Sequence, residues 1–136
     1  MDRHTSRKDG TLVHFPVATG VVIYGGHIVC ANATGFAVPG GPDIALTVLG
    51  VSDEMVDNAT GADGVVTVPV YRGKSFCLAN STAVPVTQAL TGKDCYIEDS
   101  VTVSAMVPDA VDPTLATTPV AGKVLEVTPD GVWIYI

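Results

Sequence analysis

Short apolar runs interrupted by turn residues make up most of the chain from Leu12 onward. The runs are rich in valine, and glycine, proline, asparagine or aspartate separates them at close intervals. Eleven segments have this character: LVHFPVA, GVVIY, HIVCA, FAV, IALTVLGV, VVTVPVY, SFCLA, CYIE, VTVSAMV, GKVLEV and VWIYI. Runs of this length and spacing predict an all-β protein built from up to eleven short strands.

The last two runs predict a β-hairpin. In a strand, Lys123, Leu125 and Val127 would lie on one face. Val124 and Glu126 would lie on the other face. The four residues that follow read Thr-Pro-Asp-Gly, with proline suited to an early turn position and glycine to a left-handed one. We therefore expect the chain to fold back here.

The final run, VWIYI, is apolar on both faces of the predicted strand. One interpretation is a central strand with both faces covered by its own chain. The other is a strand covered by a neighbouring subunit. In that second interpretation, Trp133 and Tyr135 form the subunit contact.

Prolines indicate where regular structure is interrupted. Pro16 and Pro69 lie inside apolar runs, and a residue without an N–H is tolerated mainly in an edge strand or at a bulge. Both runs are therefore predicted to be edge strands. Residues 108–119 contain three prolines and little periodicity, which predicts a long connection. No helix is expected, because Pro85 interrupts STAVPVTQAL, the best helical candidate.

Composition agrees with the all-β prediction and divides the chain into two regions. Valine occurs 23 times against 7 leucines, and β-branched side chains suit strands. Residues 1–10 hold no apolar residue after Met1, but they contain Arg3, Arg7 and Lys8. They predict a flexible basic N-terminal arm, and residues 11–136 predict a single all-β domain.

The charge balance argues against two classes of partner. The chain has 7 basic and 14 acidic residues, so its net charge of −7 has the wrong sign for binding a phosphate backbone. No stretch approaches the 18 or so apolar residues of a membrane-spanning helix. We therefore expect neither a nucleic-acid nor a membrane partner.

The surface is expected to be unusually poor in charge. Charged residues make up 15% of the chain and apolar residues 47%, whereas about 25% charged residues is typical of a soluble domain. The favoured interpretation is that other subunits or a partner cover part of the surface. Solvation by Thr, Ser, Asn and Gly remains the alternative.

The metal-ligand and redox signals in the chain are weak. Cys30, Cys77 and Cys95 cannot all pair within one chain and show no C-x-x-C spacing, so reduced, packed thiols are expected. His27 and Cys30 would point to opposite faces of a strand. Residues 57–64 resemble a calcium loop in composition but have alanine where an oxygen ligand is needed. No metal site and no cofactor is predicted.

The three Asn-x-Thr triplets, at Asn32, Asn58 and Asn80, match the glycosylation acceptor pattern. That reading needs a secreted chain, and the N-terminal region lacks the continuous apolar run of a signal peptide. Asparagines that form turns explain the triplets without secretion. We expect turns.

No arrangement of side chains predicts catalysis. The G-x-S-x-G pattern does not occur, and all three histidines fall within the first 27 residues, away from an obvious Ser or Cys partner. Arg72-Gly73-Lys74-Ser75 ends like a phosphate-binding loop, but Val68 stands where that loop begins with glycine. We expect no enzyme activity.

Two segments repeat one spacing. Tyr24, Gly26 and Cys30 recur 47 residues later as Tyr71, Gly73 and Cys77. Coincidence in a chain rich in valine and glycine is one explanation. The other is a reused unit of strand, glycine turn and strand, in which glycine supplies positive φ.

The chain as a whole resembles a known family. Its polar start ending in KDG is followed by GGHIVCANATGFAVP, by VLGVSDEMVDNATGADGVVTVPVYRGKSFCLAN, by GKDCYIEDSVTV and by AGKVLEVTPDGVWIYI. From Gly10 to Ile136 this pattern is similar to the small capsid cement, or decoration, proteins of tailed bacteriophages. The likeness rests on glycine positions, the VLGV and V-x-V-x-x-x-G phrases and the closing hairpin.

The resemblance implies a compact antiparallel β-sandwich or jelly-roll-like barrel with a short N-terminal arm. It also implies a protein without catalysis, made in the host bacterial cytoplasm, that sits on the outer surface of the virion capsid. There it would bind the major capsid protein as a symmetric homodimer or homotrimer, bridge capsid subunits and stabilise the mature shell. On this hypothesis Arg3, Arg7 and Lys8 contact the capsid, and an unordered tail without function is the alternative.

Two other function classes remain open. A carbohydrate-binding β-sandwich of a virion or secreted protein would need exposed aromatic rings, and we expect several of the eight aromatic residues to be buried in apolar strands. A small β-barrel enzyme is the third class. The sequence leaves the choice between dimer and trimer open.

Overall fold

The computed structural model describes residues 1–136 and contains twelve β-strands and no α-helix. One 3-10 turn at Gln88–Leu90 is the single helical element. The strands are β1 (Leu12–Pro16), β2 (Val21–Ile23), β3 (Ile28–Ala31), β4 (Ala37–Pro39), β5 (Thr47–Ser52), β6 (Val56–Asn58), β7 (Thr67–Tyr71), β8 (Ser75–Asn80), β9 (Asp94–Ile97), β10 (Thr102–Ser104), β11 (Val120–Thr128) and β12 (Gly131–Tyr135).

The all-β prediction is confirmed, and each of the eleven predicted runs contains a strand. The twelfth strand, β6, was not predicted because its sequence Val-Asp-Asn has a single apolar residue. It pairs with β2 as a two-stranded ribbon. The absence of an α-helix was also predicted correctly, and Pro85 lies before the 3-10 turn.

The strands form a sheet, a closed barrel and the ribbon. The sheet has five strands in the order β1-β7-β5-β3-β4, and the barrel has five in the order β10-β8-β12-β11-β9. Pairing is antiparallel throughout except between β8 and β10, which run parallel. Strands β9 and β10 pair with each other and so close the barrel.

The sheet lies between the barrel and the ribbon, and its two faces belong to two hydrophobic clusters. Ile28 and Cys30 of β3 face the barrel and pack in an 11-residue buried cluster. Val29, between them, joins a six-residue cluster with Ile23 of the ribbon. Because β3 is covered on both faces, three consecutive residues of it are fully buried.

A β-bulge alters the predicted faces of β11. The register against β12 shifts between Val124 and Glu126, which leaves Leu125 as the extra residue. The prediction that Leu125 shares a face with Val127 is therefore wrong. Leu125 is 46% exposed, whereas Val124 is buried and Val127 packs against the barrel core.

The two strand prolines have different positions. Pro16 lies in β1, an edge strand as predicted. The prediction of an edge strand is wrong for Pro69, because β7 lies between β1 and β5. Pro69 accepts a hydrogen bond from the Asp53 N–H but has no N–H to return, and the pairing of β5 with β7 ends at Ser52. The strand tolerates proline there because its ladder stops.

The predicted closing hairpin is confirmed. Thr128 pairs with Gly131 across a two-residue turn, and Gly131 has φ of +147°. A Cβ at Gly131 would collide with the Leu78 carbonyl oxygen of β8, so glycine is required for close approach as well as for the turn. Residues 108–119 form a long connection, as predicted, with only an isolated bridge between Pro108 and Ala116.

The two repeated segments share one local structure. Each tyrosine ends or follows a strand, and Gly26 and Gly73 have φ of +79° and +68° in the turn that follows. Neither turn closes a hairpin: the first carries the chain from the ribbon to the sheet, and the second carries it from the sheet to the barrel. The repeated unit therefore connects layers.

The barrel core predicts that alanine substitutions on two neighbouring strands differ widely in their effect on the free energy of unfolding. Ile134→Ala should lower the free energy of unfolding by about 2–5 kcal/mol, because Ile134 is fully buried in the barrel cluster. Leu125→Ala removes an equally large side chain from the bulge of β11 and should cost less than about 1 kcal/mol. Urea unfolding of both variants measures the difference, and equal losses would contradict the described barrel interior.

The close approach of β8 to the closing hairpin predicts that alanine lowers the stability more at Gly131 than at Gly20. Gly20→Ala should cost about 1–2 kcal/mol, because Gly20 has φ of +77° but nothing lies within 4 Å of its would-be Cβ. Gly131→Ala should cost more, because the β8 backbone must also move away from the new methyl group. Thermal unfolding of the two variants compares them, and a smaller loss at Gly131 would be inconsistent with this packing.

Candidate functional site

The basic N-terminal arm lies outside regular secondary structure. All of residues 1–10 are exposed, including Arg3, Arg7 and Lys8, and none of them takes part in a backbone hydrogen bond. The arm joins the body at Thr11, whose carbonyl accepts a 3.0 Å hydrogen bond from the Arg72 N–H. This contact places the base of the arm at the turn between β7 and β8.

Strand β12 is a central strand of the barrel, with β11 on one side and β8 on the other. Val132 and Ile134 are buried inside, while Trp133 is 36% and Tyr135 50% exposed on the outside. β12 is thus central in the strand order, but its own chain covers only one of its faces, so the interpretation with both faces covered is wrong and one side of β12 is open. We call this side the aromatic face; it comprises Trp133 and Tyr135 with Cys77, which is exposed and lies opposite Trp133 on β8.

The eight aromatic residues are less buried than expected. None of them belongs to the buried core, and Tyr24, Trp133 and Tyr135 are exposed. The expectation of several buried aromatic residues is therefore wrong. Valine, isoleucine and alanine fill the interior, because closely spaced strands leave little room for rings in so small a barrel.

The arm base and Tyr135 lie close together. A Cβ built on Gly73 would be 3.7 Å from Thr11 Cγ2 and 3.8 Å from Tyr135 Oη. The turn that holds Gly73 also contacts the end of β12, since the Gly73 N–H donates to the Ile136 carbonyl over 2.7 Å. The structure therefore attaches the arm beside Tyr135, one of the two residues predicted to form the subunit contact.

The four basic residues of the body surround this same end of β12. Arg72 and Lys74 flank Gly73 in the β7–β8 turn, and Lys123 pairs with Tyr135 across β11 and β12. Lys93 is next to Asp94, whose carboxylate lies 3.3 Å from Lys123 Nζ. We call Arg72, Lys74, Lys93 and Lys123 the basic pole. With the arm attached there, every basic residue of the chain belongs to this pole or to the arm.

Two acidic turns lie away from the basic pole. Strand β9 runs from Asp94 at the basic pole to a turn that holds Glu98 and Asp99. Strand β12 begins beside Asp130, in the turn that precedes it, and ends at the basic pole. Because β9 and β12 are both antiparallel to β11, they run in the same direction, and the two acidic turns lie on opposite sides of the pole along the strands.

A groove of about 440 Å³ opens at the basic pole, between β5 of the sheet and strands β9, β11 and β12 of the barrel. Its floor is apolar, and its charged side chains are Arg72, Lys123 and Asp94. The residues that line it are Thr47, Val48, Arg72, Asp94, Val120, Ala121, Gly122, Lys123, Tyr135 and Ile136. Tyr135 thus belongs to both the groove and the aromatic face.

One Ser–His pair was missed by the sequence analysis. His27 Nδ1 and Ser100 Oγ are 2.8 Å apart although 73 positions separate them. The Ser100 carbonyl also accepts a 2.7 Å hydrogen bond from Ile28, so the pair ties the β2–β3 turn to the β9–β10 turn. Only one ring nitrogen of His27 has a partner, and no carboxylate orients the ring as nucleophilic catalysis requires. The geometry is that of a hydrogen bond that holds the two turns together.

The predicted turn residues all form backbone hydrogen bonds. Asn32 Oδ1 accepts from Thr34 and Phe36, and Asn80 bonds both the N–H and the carbonyl of Val86. Asn58 is buried in β6, where its amide donates to carbonyls in segments 17–18 and 62. The turn interpretation thus agrees with Asn32 and Asn80, whereas Asn58 lies at the end of a strand and mainly ties it to the distant segment 17–18.

The calcium-like segment is tied to the body by its own side chains. Asp57 Oδ1 accepts from the Ala59 N–H, and Asp63 Oδ1 accepts from the Thr19 N–H over 2.7 Å. Across the structure, no three His, Cys, Asp or Glu side chains group so that they could hold a metal ion. In the segment that resembles a phosphate loop, Lys74 lies over the Tyr71 ring at 5.9 Å.

Comparison of the chain with family models, with curated proteins and with solved structures finds no match. The structure contains no helix that could cross a membrane. Three surfaces meet around the end of β12. These surfaces are the arm, the basic pole with its groove, and the aromatic face.

The three thiols should differ in reactivity. Burial raises the pKa of both Cys30 and Cys95 to about 11, whereas Cys77 is exposed on the aromatic face. The expectation of packed thiols is therefore wrong for Cys77. At pH 8 a disulfide reagent should react within minutes with one thiol in the native protein and with all three after unfolding. Cys77→Ser should abolish the native reaction, and retention of it would contradict this assignment.

Proposed function

We propose that the protein is a capsid cement protein, which binds the outside of a tailed-phage head as a symmetric oligomer and stabilises the mature shell. The observation that carries the proposal is that every basic residue of the chain lies in the exposed arm or in the basic pole to which the arm is attached. Such a molecule has a defined orientation towards an acidic surface. A protein that acts by binding alone, without catalysing a reaction, needs such a defined orientation on its partner.

The arm and the basic pole supply complementary contributions to binding. The pole is held by the ends of barrel strands, so it presents its charges without a large ordering cost. The arm has no backbone hydrogen bonds of its own and would lose conformational entropy when it binds. In exchange, Arg3, Arg7 and Lys8 extend the contact beyond the area of the pole.

Stabilisation of the shell would follow from mass action. A protein that binds the mature lattice and not its precursor lowers the free energy of the mature state at each occupied position. A symmetric oligomer that touches several capsid subunits multiplies this effect, because the second contact is intramolecular once the first has formed. The major capsid protein is thus the proposed partner, and the virion surface the proposed location.

The aromatic face favours a second candidate, a carbohydrate-binding module of a virion or secreted protein. Trp133 and Tyr135 lie two residues apart on the outer side of one strand and are both exposed. Rings held on a rigid strand are suited to stack on sugars. A glycan array probed with the native protein and with Trp133→Ala tests this candidate, which requires binding that the variant loses.

Sedimentation with expanded heads that lack a decoration protein, from the phage that encodes this chain, tests the main proposal. The native protein should pellet with the heads and saturate them. Replacing Arg3, Arg7 and Lys8 by glutamine should weaken binding about tenfold or more, since three exposed ion pairs contribute up to about 1 kcal/mol each. Binding by the native protein should also weaken as salt rises.

The matched control changes charge outside the arm and the basic pole. Glu98→Gln combined with Asp130→Asn removes two acidic residues far from the arm and should leave affinity for the heads unchanged. Heads that fail to bind the native protein would refute the cement proposal. Equal binding by the arm variant would remove the arm from the contact.

A further inference from the structure

The connection between β10 and β11 is an ordered loop that displays apolar side chains. Asp109 Oδ1 accepts hydrogen bonds from the N–H groups of Val111 and Asp112 at 2.8 and 3.0 Å. Asp112 Oδ1 accepts from both the N–H and the hydroxyl of Thr114. The Asp109 N–H in turn donates to the Leu115 carbonyl and closes the loop. Its shape is set by these bonds.

The tip of this loop carries the most exposed apolar side chain of the body. Val111 is 94% exposed and Leu115 58%, and neither packs against either hydrophobic cluster. Exposed valine at the tip of a preformed loop costs free energy in water, and little ordering entropy would be lost if it were bound. The loop therefore has the properties expected of a segment that inserts into a pocket of a partner.

The same loop is negatively charged. Asp109 and Asp112 flank Val111, and the backbone and hydroxyl hydrogen bonds they accept hold their pKa values below the ordinary range. Both carboxylates are therefore ionised at neutral pH. In each case the bonds involve Oδ1, which leaves Oδ2 free for a cation on a partner.

The groove at the basic pole has the complementary features. Val48, Val120 and Ala121 supply apolar surface, and Arg72 and Lys123 supply positive charge. Its volume of about 440 Å³ falls within the range of about 300–1,000 Å³ that is typical of sites for small ligands. A valine between two carboxylates matches an apolar floor beside two cations in both polarity and charge.

The loop does not occupy the groove of its own chain. Val111 is almost fully exposed, and the loop is held in place by bonds to its own base, such as that from Thr117 to the Val107 carbonyl. It also leads directly into β11, whose first residues line the groove. The same loop of a second copy keeps these internal bonds, but its backbone does not tie it to the groove of the first copy, so it can approach that groove from outside.

We propose that the loop around Val111 of one subunit inserts into the groove of another, and that this contact builds the homo-oligomer. Every subunit has one loop and one groove, so the contact closes as a reciprocal dimer or as a small ring. The inference rests on the proposed function for its purpose, because a symmetric oligomer supplies the avidity of a cement protein. It also gives Tyr135, on the groove wall, a role in the subunit contact.

Sedimentation velocity of the purified full-length chain over a range of concentrations tests the contact. The native protein should form one closed oligomer. Val111→Asp should raise the dissociation constant at least about tenfold, because it would bring a third carboxylate onto the apolar floor. Val65→Asp is the matched control: Val65 is also an exposed valine in a loop, at 67%, and its replacement should leave the oligomer intact.

A charge exchange tests the pairing of loop and groove directly. Asp112→Arg would set arginine against Arg72, and Arg72→Glu would set glutamate against Asp112, so each variant alone should be monomeric. Combined in one chain, the two changes should restore assembly, since the introduced arginine on the loop of each subunit then meets the introduced glutamate in the groove of the next, in a dimer as in a ring. Circular dichroism and thermal unfolding establish that each variant is folded, and Val111→Ser serves as a milder loop variant if either is not.

The outcomes separate this inference from the proposed function. A strictly monomeric native protein, or unchanged assembly of the folded Val111 variants, overturns the loop-in-groove contact whatever happens with phage heads. Failure of the folded double variant, Asp112→Arg with Arg72→Glu, to assemble also overturns it. An oligomer that Val111→Asp dissociates but that does not bind expanded heads upholds the contact and refutes the cement proposal.

Discussion

Pairing of β12 on both of its edges is the interaction on which the rest of the structure depends. Its neighbours β8 and β11 use its backbone donors and acceptors, and its alternate residues Val132 and Ile134 fill the barrel. The sheet then packs against the barrel through Ile28 and Cys30 of β3. Because β12 is held on three sides, only its outer side is left for contacts with other molecules.

The pairing of β11 with both of its neighbours gathers positive charge beside β12. Lys123 pairs with Tyr135 of β12 and with Asp94 of β9, so it lies next to the end of β12 and close to Lys93. The acidic turns that hold Glu98 and Asp130 lie at the far ends of β9 and β12 from this pairing. The groove and the base of the exposed arm lie beside this cluster of positive charge.

Local sequence signals were reliable where one strand or turn decides its own conformation. Eleven apolar runs became strands, and the closing hairpin formed at its Pro-Asp-Gly turn. The errors have a common cause, since each depended on a neighbouring strand. The bulge at Leu125 exists only against β12, and Pro69 is accommodated where β5 ends beside β7. The ribbon strand β6 is a strand only because β2 pairs with it.

By itself, the sequence determined the all-β class, the breaks between strands and the basic arm, because backbone preference, side-chain alternation and turn chemistry act over a few residues. Tertiary structure alone decided that Arg72, Lys93 and Lys123 form one pole with Tyr135, and that His27 meets Ser100. These groupings depend on which strands pair and in what register. Burial of the whole core selects that register, and no local pattern encodes it.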